Sequence, residues 1–196
     1  MRSYLALGDS YTIGEGVPLF DSYPYQLVQL LRKAGQSFYA PEIIARTGWT
    51  TDELAAAIAN TRLLPRYDLV TLLIGVNNQY RGRDLDEYGV QFEQLLHQAI
   101  GLARPEGQVL VVSIPDWGVS PFAGDRDRAA ITTAINSFNT LARQITLERN
   151  LPFTDITEHS RTQGAPEDFT ADGLHPGAGQ YAWWAEQIAR AVDVAG

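Results

Sequence analysis

The 196-residue chain contains no cysteine and only three histidines. Without cysteine it has no disulfide, no thiolate nucleophile and no cysteine-ligated metal site. It also lacks any apolar run long enough to cross a bilayer. No basic stretch followed by an apolar one precedes the first strand, so no signal peptide is expected. The expected location is the cytoplasm, with the periplasm or export open if a leader has been removed. A basic patch is missing too. The formal net charge is −8, Arg81 and Arg83 alternate with other residues, and Arg126 and Arg128 are interleaved with Asp125 and Asp127. Nucleic acid and anionic lipid surfaces are therefore not expected partners. The excess acid reads as a solubilising surface.

What is present is an ordinary globular composition, 45% apolar and 19% charged, long enough for a sizeable core. With no internal repeat and no low-complexity linker, residues 1–196 read as one domain. Short apolar runs alternate with helical patterns. Strands are expected at Tyr4–Leu7, Phe38–Ala45, Asp68–Ile74, Val109–Ile114 and Leu151–Asp155. Pro41 demotes the second of these to a sheet edge, whereas the third, DLVTLLI, is apolar on both faces like a central parallel strand. Helices are expected from Ser22 and Pro24 to Gly35, after Thr50 and Glu53, after Asp84 and Glu87, over Arg128–Glu148 and over Tyr181–Val192. Thr50/Glu53 and Asp84/Glu87 both have the spacing of a capping box. Five strand–helix alternations imply a parallel sheet covered on both faces. The chain between Asp155 and Gly179 reads as irregular.

In such folds ligands bind beyond the carboxyl ends of the strands. There the sequence places Gly8-Asp9-Ser10, then Arg46-Thr47-Gly48-Trp49, then Gly75-Val76-Asn77-Asn78, and finally Asp172-Gly173-Leu174-His175. A serine hydroxyl needs a base within hydrogen-bond reach, and the base needs an orienting partner. His97 lies within a helical pattern and His159 in a polar stretch that reads as an exposed loop. His175 is held between Gly173 and Pro176, with Asp172 three residues earlier. Ser10, Asp172 and His175 thus fit the logic of serine-based acyl transfer. The Ser10 N–H, the Gly48 N–H and the Asn77 amide are candidate donors for the oxyanion. Each run taken alone is also an ordinary turn.

These four blocks, in this order, resemble the GDSL or SGNH hydrolase family. Gly8, Asp9, Ser10 and Gly14 match its nucleophile block, Gly48 its lone glycine, Gly75 and Asn77 its third block, and Asp172 and His175 its last. The resemblance implies a flavodoxin-like three-layer α/β/α sandwich with a five-stranded parallel sheet and neither metal nor cofactor. It also implies Ser10 as nucleophile, His175 as base and Asp172 as orienter, with an oxyanion hole from Ser10, Gly48 and Asn77. The expected reaction is hydrolysis of a small-molecule ester through an acyl-enzyme. The ester could be that of a lipid, a lysophospholipid, a thioester or an acetylated sugar. Asn78 stands where the family commonly has aspartate, a departure that bears on loop support and substrate preference and not on the oxyanion donor.

Two other readings use the same residues. A flavin or nucleotide phosphate would suit Ser10, Thr12 and Gly14 after the first strand, but leaves Asn77, Asp172 and His175 unused. A non-catalytic ester or glycan binder would keep the pocket without turnover. Tyr11, Trp49, Tyr80 and Trp117 are candidate rim aromatics. The acyl length and the oligomeric state are not encoded in any of these patterns.

Overall fold

A computed structural model describes residues 1–192. Its centre is a five-stranded, wholly parallel sheet in the order β2-β1-β3-β4-β5. The strands are β1 (Tyr4–Asp9), β2 (Glu42–Arg46), β3 (Tyr67–Leu73), β4 (Ala103–Val112) and β5 (Phe153–Thr154). This is the flavodoxin-like order. The two central strands β1 and β3 are almost wholly buried, as near-continuous apolar runs require.

Connectivity decides which face each helix covers. The step from β1 to β2 runs one way along the sheet and all later steps run the other way. Right-handed crossovers therefore put their helices on opposite faces. The helix α2 (Tyr23–Lys33) packs against the last helix, α8 (Ala178–Ala191), on one face. On the other, α5 (Leu85–Leu102) packs against α3 (Thr51–Asn60) and α6 (Arg128–Glu148). Between them lies one continuous apolar core, with Thr71 of β3 hydrogen-bonded to Tyr4 and Tyr23 at 2.8 and 3.2 Å. No helix among the described residues is long and apolar enough to cross a membrane.

Several elements differ from the sequence expectation. Strand β2 begins only after Pro41, and Phe38 makes just an isolated bridge to Arg2. The ring nitrogen of Pro41 has no hydrogen to give to a ladder. Strand β4 starts at Ala103, six residues before its apolar run, because Ala103 pairs with Tyr67 before the register shifts. That first half is mostly exposed, with Arg104 paired to Asp68 of β3 at 3.2 Å, and no hydrophobic pattern marks it. Three short helices occupy stretches that read as turns or irregular chain: α1 (Ser10–Ile13), α4 (Val76–Tyr80) and α7 (Thr157–Arg161). One or two turns are too few for a hydrophobic period to register. His159 is consequently not in an exposed loop. It sits on α7, half-buried, with its ring stacked on Trp183 at 3.7 Å. Asp84 caps α5 from one side only, accepting from the N–H groups of Asp86 and Glu87.

Candidate active site

The serine is placed by a close approach that only glycine allows. A Cβ on Gly8 would lie 2.1 Å from Thr12 Oγ1 and 2.4 Å from the Leu73 carbonyl. Its absence lets α1 fold directly over the ends of β1 and β3. Asp9 caps α1 by accepting the Tyr11 N–H at 3.0 Å. The Ser10 N–H heads the helix, where no intrahelical acceptor exists. A phosphate at this helix start would meet the Asp9 carboxylate, which already holds the Tyr11 N–H.

Asp172 and His175 form a tight turn. Asp172 Oδ2 lies 2.6 Å from His175 Nδ1. Its other oxygen accepts the N–H groups of Leu174 and His175 at 2.8 and 3.0 Å and the Thr170 hydroxyl at 2.8 Å. Burial alone would raise this carboxyl. The side-chain and backbone hydrogen bonds from His175, with those from Leu174 and Thr170, outweigh it and hold Asp172 well below the usual carboxylate range. The His175 ring is buried and backed edge-on by Tyr11, with ring centres 5.7 Å apart.

Gly48 lies in the turn Arg46–Trp49, closed by the Trp49 N–H on the Arg46 carbonyl at 3.2 Å. Its φ of 85° is the left-handed value that the third residue of a type II turn requires. Asn77 sits on α4 across the end of β1, and its Nδ2 donates to the Trp49 carbonyl at 3.0 Å. A longer contact, 3.5 Å, runs from the same nitrogen to Asp9 Oδ2. Asp9 is fully buried, and burial pushes it up to about 7 despite the Tyr11 N–H. Asn78, the departure from the usual aspartate, is also fully buried. Its amide is used at both ends, accepting from the Thr51 N–H at 3.1 Å and donating to the Thr51 hydroxyl oxygen at 2.7 Å. The Thr51 hydroxyl in turn donates to Gln91. An aspartate could not make that donation, so the asparagine supports the α3 start by a different bond.

Ser10, Gly48, Asn77 and His175 all line one pocket of about 150 Å³. Asp172 stands behind His175. No hydrogen bond joins Ser10 to His175 among the described residues, and such contacts are commonly long until substrate is bound. Of the candidate rim aromatics, Tyr11, Tyr80 and Trp117 line the pocket, Tyr11 and Trp117 as buried residues and Tyr80 as an exposed one. Trp49 contributes its carbonyl, and its ring packs towards the core. Phe122 and Leu174 complete the apolar wall, and neither is among the sequence candidates. The signal that points to Phe122 is position: it follows the carboxyl end of β4, the edge on which the other site residues fall.

That wall is braced from behind. Asp116, fully buried, accepts from the Gly118 N–H, the Thr132 hydroxyl and Arg161 Nε at 2.9, 2.7 and 2.9 Å. The Trp117 indole N–H donates to Gln79 at 2.8 Å. Tyr80 meets Trp117 edge-on with centres 5.4 Å apart, and Arg126 stacks on Phe122 at 4.8 Å. The Phe122 N–H donates to the Gly173 carbonyl at 2.9 Å, joining the wall to the Asp172–His175 turn.

A five-stranded parallel sheet with a pocket where the strand order reverses defines a flavodoxin-like α/β protein. More particularly, the chain belongs to the GDSL-like Lipase/Acylhydrolase family, whose sequence model matches residues 6–183, and it is a carboxylic ester hydrolase of that type. Solved structures share the fold at low identity. A lipase/acylhydrolase from Enterococcus faecalis is 22% identical, with a TM-score of 0.77 over 97% of this chain and 94% of its own. A GDSL-family lipolytic protein from Veillonella parvula is 19% identical, with a TM-score of 0.74 over 97% of both chains. Axe2, an acetylxylan esterase from Geobacillus stearothermophilus, is 19% identical, with a TM-score of 0.75 over 96% of this chain and 93% of its own. No curated protein sequence matches the chain significantly.

Proposed function

We propose that this protein hydrolyses short-acyl esters through an acyl-enzyme on Ser10. The observation that carries this reading is the convergence of Ser10, Gly48, Asn77 and His175 on one small pocket, with Asp172 bonded to the far nitrogen of the His175 ring. Asp172 accepts from Nδ1–H, which leaves Nε2 as the basic nitrogen. Nε2 takes the Ser10 proton as Oγ adds to the ester carbonyl carbon. The carbonyl oxygen, now an anion, is met by the Ser10 and Gly48 N–H groups and the Asn77 amide. Collapse expels the alcohol, which receives the proton from His175. A water molecule, deprotonated by the same nitrogen, then releases the acid and restores Ser10.

Pocket size supports the acyl preference. The pocket beside Ser10, about 150 Å³, is of the size that holds a benzene-sized group, and this supports an acetyl to butyryl chain. The Tyr80, Trp117 and Phe122 wall offers an apolar face for the alcohol. An acetyl ester preference also agrees with the acetylxylan esterase activity of the neighbour Axe2.

The test is a p-nitrophenyl ester series from acetate to palmitate, run beside Ser10→Ala. Turnover is expected to peak at two to four acyl carbons, on the order of the pocket's capacity, and to vanish in the variant. Turnover that survives in Ser10→Ala overturns the assignment. A Ser10-dependent maximum at long chains overturns only the acyl preference.

A further inference from the structure

Asn77 and Arg81 stand four residues apart at α4 and its carboxyl end, and so share one face. Each grips a carbonyl of the same turn. Asn77 Nδ2 holds the Trp49 carbonyl at 3.0 Å, and Arg81 Nη2 holds the preceding one, that of Gly48, at 2.5 Å. Arg81 also pairs with Glu53 at 3.4 Å. Glu53 accepts the Thr50 N–H at 2.9 Å, so the guanidinium is tied to the chain just beyond the turn as well.

A turn with glycine at its third position is pliable, because glycine tolerates both signs of φ. The Thr47–Gly48 peptide carries the Gly48 N–H, so the seat of the turn decides where that donor stands. The two carbonyl bonds seat the turn against α4, beside Asn77 and the pocket. A charged donor on a backbone carbonyl is a strong and directional restraint, whereas the exposed pair with Glu53 adds little stability.

We propose that Arg81 is a positioning residue that keeps the Gly48 turn seated at the pocket beside Asn77, so that α4 supplies one oxyanion donor through Asn77 and places another, the Gly48 N–H, through Arg81. The inference rests on the acyl-transfer reading above. Arg81 lies outside the four blocks that mark the family resemblance.

The experiment compares wild type, Arg81→Ala, Arg81→Lys and Ser10→Ala on p-nitrophenyl acetate, with kcat expressed per Ser10 titrated by a fluorophosphonate. Deleting an oxyanion donor costs roughly 10²–10³-fold, so a loosened donor in Arg81→Ala should lower kcat by about tenfold. KM should stay within about twofold, because the oxyanion forms only after binding. The melting temperature should hardly move. Arg81→Lys can reach one carbonyl but not span both partners, and should recover part of the loss. If Arg81→Ala does not fold, Arg81→Met, which keeps the stem and removes the donors, is judged by the same criteria. Unchanged kcat in the Arg81 variant beside an inactive Ser10→Ala overturns the positioning role and leaves the acyl-transfer reading standing. A change in KM alone also overturns it, by making Arg81 a substrate contact. Full turnover in Ser10→Ala overturns both.

Discussion

Two carboxylates serve the same pocket in opposite surroundings. Asp9 is fully buried, has one good donor in the Tyr11 N–H, and is paired with no Arg or Lys among the described residues. Asp172 is partly exposed and accepts from four groups. Burial pushes Asp9 up to about 7, while hydrogen bonds hold Asp172 well below the ordinary carboxylate range. The difference teaches that donor count against burial, and not residue type, decides which carboxylate carries a permanent charge. Asp172 is the one equipped to orient an imidazole. Asp9 is equipped to cap α1 and to sit beside Asn77 without needing a cation.

The largest effect that tests this contrast is Asp172→Asn. It removes the acceptor for Nδ1–H and the charge that stabilises the imidazolium, and kcat should fall by up to about 10⁴-fold. Steady-state kinetics on an acetate ester check this, and a loss below about tenfold would remove Asp172 from its orienting role. Asn77→Ala comes next, with an expected loss in kcat of roughly 10²–10³-fold at nearly constant KM. A change confined to KM would make Asn77 a binding group instead.

The smallest kinetic effect is expected for Asp9→Asn, which keeps an oxygen to cap α1. Its signature lies in stability. Between about pH 4 and 7 the unfolded chain releases the Asp9 proton while the folded chain retains it, so this residue's contribution falls as pH rises through that window. Wild type and Asp9→Asn should therefore melt together near pH 4, and the variant should melt higher at pH 8. Asp172 has the opposite sign. Its depressed value stabilises the fold above the usual carboxylate range, and that contribution fades as pH falls. Melting temperatures of the two variants across pH should thus diverge from wild type in opposite directions. Parallel curves would break the comparison.

Much of this architecture is legible in the linear chain. The strand–helix alternation carries the sheet, and the four blocks carry Ser10, Gly48, Asn77, Asp172 and His175 to one edge. The helix starting at Ser10 is not legible, because a single turn leaves no periodic pattern. Phe122 escapes a linear reading for a different reason. It lies in a 3-10 turn whose apolar side chain is used at a pocket wall and not in the core. The early start of β4 is hidden because exposed, largely polar residues follow Ala103 before the apolar run begins.

By itself the sequence determined the local chemistry: which side chains can attack, accept a proton or donate to an anion, and which glycines let the chain turn where they stand. Those properties are covalent or depend on near neighbours, so they survive in a linear reading. Only the tertiary structure decided the environments. It alone put Asn77 and Arg81 against two consecutive carbonyls of the Gly48 turn, braced the Trp117 wall through Gln79, Asp116 and Arg161, and enclosed Asp9 while surrounding Asp172 with donors. Most of those contacts join segments far apart in the chain. Desolvation and long-range hydrogen bonding come into being only when those segments pack.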